Sequence, residues 1–284
     1  MNPPAATFAD FPVELCEHVI LLAARACALD DKPTLAALAR ASRSIHALVQ
    51  PILVETVFVT SSNIHALLAH AAPARVFATT RALIVENMGD EDSRKFCTPL
   101  EQGDLVFPNI ALFYGPAEVF YALLHFSSPR RVVLVPGPRK GFYPLSDRQL
   151  CSATRLTHIH GGEDMLFFLA LAIGHLRDSA LSLRDSGMCL THIVLAGLNL
   201  DDALLAVPVL TLLPKLHHMC ILSWDETRRV QLQSIVNRQK DEGKDEARLG
   251  LWVDDSNVPP YDRCMVLNDE YWSIGTPFSA PHAV

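Results

Sequence analysis

Short runs of aliphatic and β-branched residues, each closed by a turn and followed by a helix-length stretch, recur along the second half of the chain. Arg130-Arg131-Val132-Val133-Leu134-Val135 ends at Pro136-Gly137, and the run over residues 153–160 ends at Gly161-Gly162. Residues 190–195 end at Ala196-Gly197, and residues 213–222 end at Ser223. Helical stretches are expected over 163–178, 201–212 and 225–240. Taking Val133, Ile159, Ile193 and Met219 as centres, the steps are 26, 34 and 26 residues. Strands separated by a helix of this size pair in parallel, because a parallel ladder needs a crossover of a dozen residues or more. This pattern points to an α/β sheet with helices packed against it.

Two architectures satisfy the pattern. Irregular strand–turn–helix units of this length resemble leucine-rich repeats, which stack into an open curved sheet. An ordinary α/β domain with a mostly parallel sheet has the same alternation. Only the repeat version leaves an open sheet face for a protein partner. Upstream, residues 53–59 and 81–85 read as strands. Ser61-Ser62-Asn63 is placed to cap a helix over 64–71. Residues 86–108, polar and punctuated by Gly89, Pro99 and Gly103, read as a long surface loop. Residues 249–253 read as a final strand and the tail from Gly275 as frayed.

The first fifty residues follow another rule. Pro12, Glu14 and Glu17 mark a helix start. Leu15, Val19 and Leu22 then recur at four and three, forming one apolar stripe. Asp30-Asp31-Lys32-Pro33 breaks that helix and starts another, in which Leu35, Leu38, Ser42 and Ile45 continue the spacing. Leu48, Val49, Ile52 and Leu53 extend the apolar surface beyond a break at Pro51. Periodicity alone describes a helical cap on the larger domain.

The order of residues is more specific. Phe11-Pro12-Val13-Glu14-Leu15, then Val19-Ile20, then Leu35-x-x-Leu38-Ala39-x-x-Ser42-Arg43 resembles the F-box, over about a sixth of the chain. Phe11 stands where that family more often has Leu, Ile45 where Trp or Phe is common, and Ala23 where a larger apolar residue is usual. Residues 41–51 also look like the F-box-like families of fungal genomes. The resemblance implies docking to the Skp-type adaptor of an SCF ubiquitin ligase, and through it to a cullin scaffold. Phe11, Pro12, Leu15, Val19, Leu35 and Leu38 would form or support the adaptor-facing surface; the plain alternative for each is packing inside the helical hairpin.

Composition narrows the function classes. Of 284 residues, half are hydrophobic and 19% charged, enough apolar material for a substantial core. The net charge of -7 lacks the basic surplus with which proteins neutralise phosphates, so nucleic acid is not the expected partner. Residues 165–174 and 203–213 are apolar but shorter than the roughly 20 residues a bilayer demands, and no secretory signal opens the chain. The seven scattered cysteines contain no Cys-x-x-Cys pair. Together these features fit a reduced protein of the cytosol or nucleus.

Motifs for chemistry are sparse. In a strand, His158 and His160 share one face and could meet one metal ion, with Glu163 or Asp164 adding a carboxylate. The same acids suit a helix start after a glycine turn, and no second ligand group stands at a matching distance. His217-His218 with Cys220 has no partner pair. Residues 137–141 form a basic turn that lacks P-loop spacing, and no nucleophile elbow or dinucleotide fingerprint occurs. The six acids and six bases within residues 225–248 suit a solvated helix face.

The expected fold is α/β. An N-terminal F-box-like helical module over residues 8–53 precedes an irregular leucine-rich-repeat-like strand–helix region over 54–274, with a flexible tail over 275–284. The expected function is a non-catalytic substrate receptor, with no cofactor, metal or catalytic residue and an unspecified protein target. A metal-dependent hydrolase-like enzyme centred on His158 and His160, and a scaffold that binds no ligase adaptor, are the competing readings.

Overall fold

The computed structural model describes residues 11–28, 31–70, 77–135, 146, 149, 152–162, 165, 168–169, 188–196, 213, 215–216, 218–222, 250–254, 272 and 276–277. Three helices open the chain: α1 (Val13–Cys27), α2 (Lys32–Ala39) and α3 (Arg43–Glu55). Local chemistry sets their limits. The Asp31 carboxylate accepts from the Thr34 amide at 3.0 Å and caps α2. The Ser42 hydroxyl accepts from the Ile45 amide at 3.2 Å and caps α3. Ser42 is therefore a helix start, not a continuation of the α2 stripe. The break expected at Pro51 is absent: α3 runs through it to Glu55, with Val49 and Ile52 buried on either side. Packing of those two residues outweighs the missing backbone donor. The three helices close on Ala24, Leu35, Ala39, Val49 and Ile52.

The chain passes from α3 directly into a nine-stranded sheet. Its strands are β1 (Thr56–Val59), β2 (Ala82–Val85), β3 (Leu112–Pro116), β4 (Arg131–Val135), β5 (His158–Gly161), β6 (His192–Ala196), β7 (His218–Leu222), β8 (Gly250–Asp254) and β9 (Thr276–Pro277). They lie side by side in chain order. β1 to β8 are parallel throughout, and β9 pairs antiparallel with β8. A doubly wound sheet reverses its order at a switch point; no reversal occurs along β1 to β8. Thr276 and Pro277, expected in a frayed tail, are held by the edge of β8, which supplies a template for backbone pairing.

One backbone device recurs at the start of successive strands. The Arg81 carbonyl accepts from the amides of both Ala111 and Leu112, and the Ala111 carbonyl from Arg130 and Arg131. The Arg130 carbonyl likewise serves Thr157 and His158, and the Thr157 carbonyl serves Thr191 and His192. Each strand thus begins against its predecessor in the same way, whatever the length of the connection between them. Ile159 faces Val132 in this register, not the Val133 taken from spacing, so that step is one residue longer.

The sheet has two unlike faces. Leu83, Val85, Phe113, Val132, Leu134, Ile159 and Ile193 belong to the large core. That face is covered by α4 (Ile64–His70), α5 (Asp90–Gln102) and α6 (Ala117–Leu123), through Ile64, Phe96, Leu100, Val119, Phe120 and Leu123. The segment read as a loop over 86–108 contains α5. Asp90, Glu91 and Asp92 sit in its first turn and Gly103, at φ +81°, ends it. Ser93, Phe96 and Leu100 turn inward at helical spacing, a short stripe hidden within a polar composition. β3 and α6 form a further unit that the sequence pattern did not disclose. Its strand carries Gly115, where a Cβ would stand 2.9 Å from Val85 Cβ and the Phe113 ring. The expected helices over 163–178, 201–212 and 225–240 fall outside the described residues, apart from Met165, Phe168 and Leu169.

The second face carries Ala82, Ile84, Leu112, Tyr114, Val133, Val194 and Cys220, all buried, with Trp272 among them. The open sheet face expected of a simple repeat array is not observed for these residues. Burial also governs the chemistry of α5. It pushes the Cys97 thiol up to about 12, and the charges of Glu101 and Glu118 add to the shift. At pH 8, alkylation of Cys97 in the folded chain is expected about a thousandfold slower than in the denatured chain. Timed iodoacetamide labelling with peptide mapping checks this.

Candidate functional site

The feature that stands out is α1, which is apolar on opposite sides. Ala24 is fully buried in the bundle, with Ile20, Leu21, Cys27 and Ala28 packed beside it. Phe11, just ahead of the helix, is exposed, and Leu15, Val19 and Leu22 form one helical stripe that turns away from the bundle. Their exposures are 52%, 53%, 52% and 52%. A helix in a soluble bundle normally presents charge opposite its packed face. Here that position holds three large apolar side chains, with Phe11 just ahead of the helix and Glu14, His18 and Arg25 alongside. Completing their burial would contribute about 1 kcal/mol each, half of the usual value for a whole side chain.

The six residues singled out from sequence divide between this surface and its support. Phe11, Pro12, Leu15 and Val19 are exposed. Leu35 is fully buried beneath them in the bundle, and Leu38 is partly buried against the same core. The first four form the surface, while Leu35 and Leu38 hold the helices that carry it. Leu22 joins the exposed row. The 15–19–22 spacing marks the stripe but leaves open whether it faces a partner or packs inside the hairpin; the structure leaves it exposed. The packed row is the less hydrophobic set Ile20, Ala24 and Cys27, whose small residues let the helices approach closely.

Lys32 joins the helical module to the sheet. Its amine donates to the Leu53 carbonyl at 3.0 Å and lies 5.7 Å from the centre of the Phe58 ring on β1. Burial lowers its pKa to about 8, against the opposing charge of Glu55.

A second cluster lies at the first position of four neighbouring strands, where Arg131, His158, His192 and His218 stand in register. The rings of His158 and His192 stack at 4.2 Å and 8°. His218 follows at 5.1 Å from His192, and Trp272 packs edgewise on His158 at 4.9 Å. The Thr157 hydroxyl donates to the Arg130 carbonyl, so its oxygen accepts from His158 Nδ1 at 2.9 Å. Thr191 treats His192 in the same way, donating to the Thr157 carbonyl and accepting from Nδ1 at 2.8 Å. Face-to-face stacking packs these imidazoles as cross-strand pairs and does not aim their nitrogens at a common point.

His158 and His160 do share a face, as strand geometry requires, but His160 is fully buried beneath that row. Among the described residues, no group of three or more His, Cys, Asp or Glu is placed to hold a metal ion. Glu163, Asp164, His217 and the basic turn over 137–141 lie outside the described residues.

Burial pushes His160 down to about 3. The folded state therefore keeps it neutral while the unfolded chain takes up a proton below about pH 6.5. Stability is full above that pH and falls as pH drops from 6.5 towards 3, by up to about 1.4 kcal/mol per unit from this group. Urea titrations between pH 7 and 4 are expected to show that slope in the wild type and a shallower one in His160→Gln.

Among the described residues, no helix is long and apolar enough to cross a membrane. No family model, curated protein or solved structure matches the chain. The class that the geometry defines is an α/β protein with a parallel sheet laid down in chain order, preceded by a three-helix module.

Proposed function

We propose that this chain is the substrate receptor of an SCF-type ubiquitin ligase. On this reading α1 docks a Skp-type adaptor, and through it a cullin scaffold, while the sheet region holds a protein target. The observation that carries it is the outward apolar row Phe11, Leu15, Val19 and Leu22. Its residues belong to the stretch whose order resembles the F-box, and a helix laid in an apolar groove buries such a row. The sequential strands and their recurring start geometry favour an irregular leucine-rich-repeat-like region as the target-holding part. Catalysis of ubiquitin transfer then belongs to other subunits, and this chain contributes proximity. The stacked geometry of His158 and His192 favours this reading over a metal-dependent hydrolase.

Co-expression with a Skp-type adaptor tests the proposal. A stoichiometric complex on gel filtration supports it; a folded chain that elutes apart from the adaptor at micromolar concentrations overturns it. In the second case, the scaffold reading takes its place.

A further inference from the structure

We infer that the groove at the starts of β2 to β5 binds a phosphate monoester. This site is separate from α1 and does not rest on the adaptor reading. The groove has a volume of about 630 Å³ and is lined by Arg81, Arg130 and Arg155, with Thr79, Asn109 and Ser128 among its polar walls. None of the described residues that line it is acidic. Three arginines lining one groove are unexpected in a chain whose net charge is -7.

The recurring carbonyl geometry brings them there. Arg81 and Arg130 each immediately precede a strand, and Ala111 links their backbones: its amide donates to Arg81 and its carbonyl accepts from Arg130. They stand two strand spacings apart, about 10 Å at the backbone, which two arginine side chains can bridge to one ligand. Arg155 comes from the turn before β5, whose first residues bond the Arg130 carbonyl. The walls are firm. Asn109 Nδ2 donates to the Ala78 carbonyl at 2.7 Å, and the Phe77 and Phe107 rings meet at 5.0 Å. Arg81 Nε lies 3.7 Å from Glu55 Oε1, with both side chains largely exposed. Such a pair is weak enough for a ligand to displace.

Arginine forks match tetrahedral oxyanions, and a dianion with three equivalent oxygens uses more of these donors than a carboxylate does. An open groove of about 630 Å³ between neighbouring strand starts has room for a compact phosphorylated group. A phosphorylated side chain and a small phosphorylated metabolite offer the same chemistry.

Calorimetry on the full chain decides the matter and separates the sources. The probes are inorganic phosphate, free phosphoserine, a phosphoserine peptide library with degenerate flanks, its unphosphorylated counterpart, and a single-stranded RNA octamer. Phosphoserine or the phosphorylated library is expected to bind at least about tenfold more tightly than the unphosphorylated library, with inorganic phosphate competing. Loss of each guanidinium should weaken binding by about tenfold or more. Arg130→Ala/Arg155→Ala is therefore expected to abolish it, and the paired Arg→Lys variant to restore part of it. Both arginines are exposed, and unchanged circular dichroism confirms that the variants fold. Tighter binding of the library than of phosphoserine assigns a peptide ligand; equal binding assigns a small one. Absence of binding by every monoester probe, tighter binding of the RNA, or binding unchanged in the double alanine variant overturns the site.

Discussion

Replacing Leu15 and Val19 together by aspartate is expected to abolish capture of a Skp-type adaptor while the chain stays folded. Both side chains are about half exposed, so the substitutions leave no cavity and desolvate no charge within the protein. Surface changes of this kind usually alter stability by no more than about 0.5 kcal/mol each. In a docked complex the same carboxylates would be buried without partners, at a cost of several kcal/mol. Affinity should fall by at least about a hundredfold. Urea midpoints and adaptor titration, measured on the same preparations, provide the two readouts. A folded double variant that binds the adaptor as tightly as wild type would remove α1 from the interface and the proposed receptor function with it.

Phe120→Ala is expected to destabilise the sheet region by about 3–5 kcal/mol, the usual range for deleting a buried phenyl ring. Phe120 is fully buried on α6. Its ring lies 5.9 Å from Phe113 on β3, 6.0 Å from Tyr121 and 5.2 Å from Phe168. Removing it empties the junction of helix, strand and the next helical segment at once. A domain of this kind has roughly 5–15 kcal/mol in total, so the variant should unfold at a clearly lower urea concentration. Phe11→Ala is the control: Phe11 is half exposed and its loss should leave the midpoint nearly unchanged. Equal midpoints for Phe120→Ala and wild type would contradict the core described for this face of the sheet.

Much of the local structure was legible in the residues themselves. The Asp31-Lys32-Pro33 helix start, the strands at 82–85 and 131–135, and the helix from Ile64 each follow from side-chain preferences over a few positions, whereas the strand expected over 53–59 begins only at Thr56 because 53–55 complete α3. The same local rules failed where composition and packing disagree. α5 is polar overall and its composition reads as a loop, because only Ser93, Phe96 and Leu100 face inward. β3 and α6 escaped notice because Gly115 and Pro116 interrupt a strand pattern that the neighbouring ladders nonetheless stabilise.

The candidate surface on α1 shows the same division. That Leu15, Val19 and Leu22 form one stripe is a property of helical spacing, and spacing cannot say whether a stripe is covered. Nor can it anticipate the arginine groove, whose members stand 49 and 25 residues apart along the chain and meet only through the shared carbonyls of Arg81, Ala111 and Arg130. Much of the alternation of strands and helices and the start of α2 follow from neighbours within a turn or two, whereas the course of α3 through Pro51 to Glu55 depends on its packing. The tertiary structure alone decided which apolar face is buried, which strand register holds, and which distant side chains share a cavity, because those outcomes depend on contacts between residues far apart in the chain.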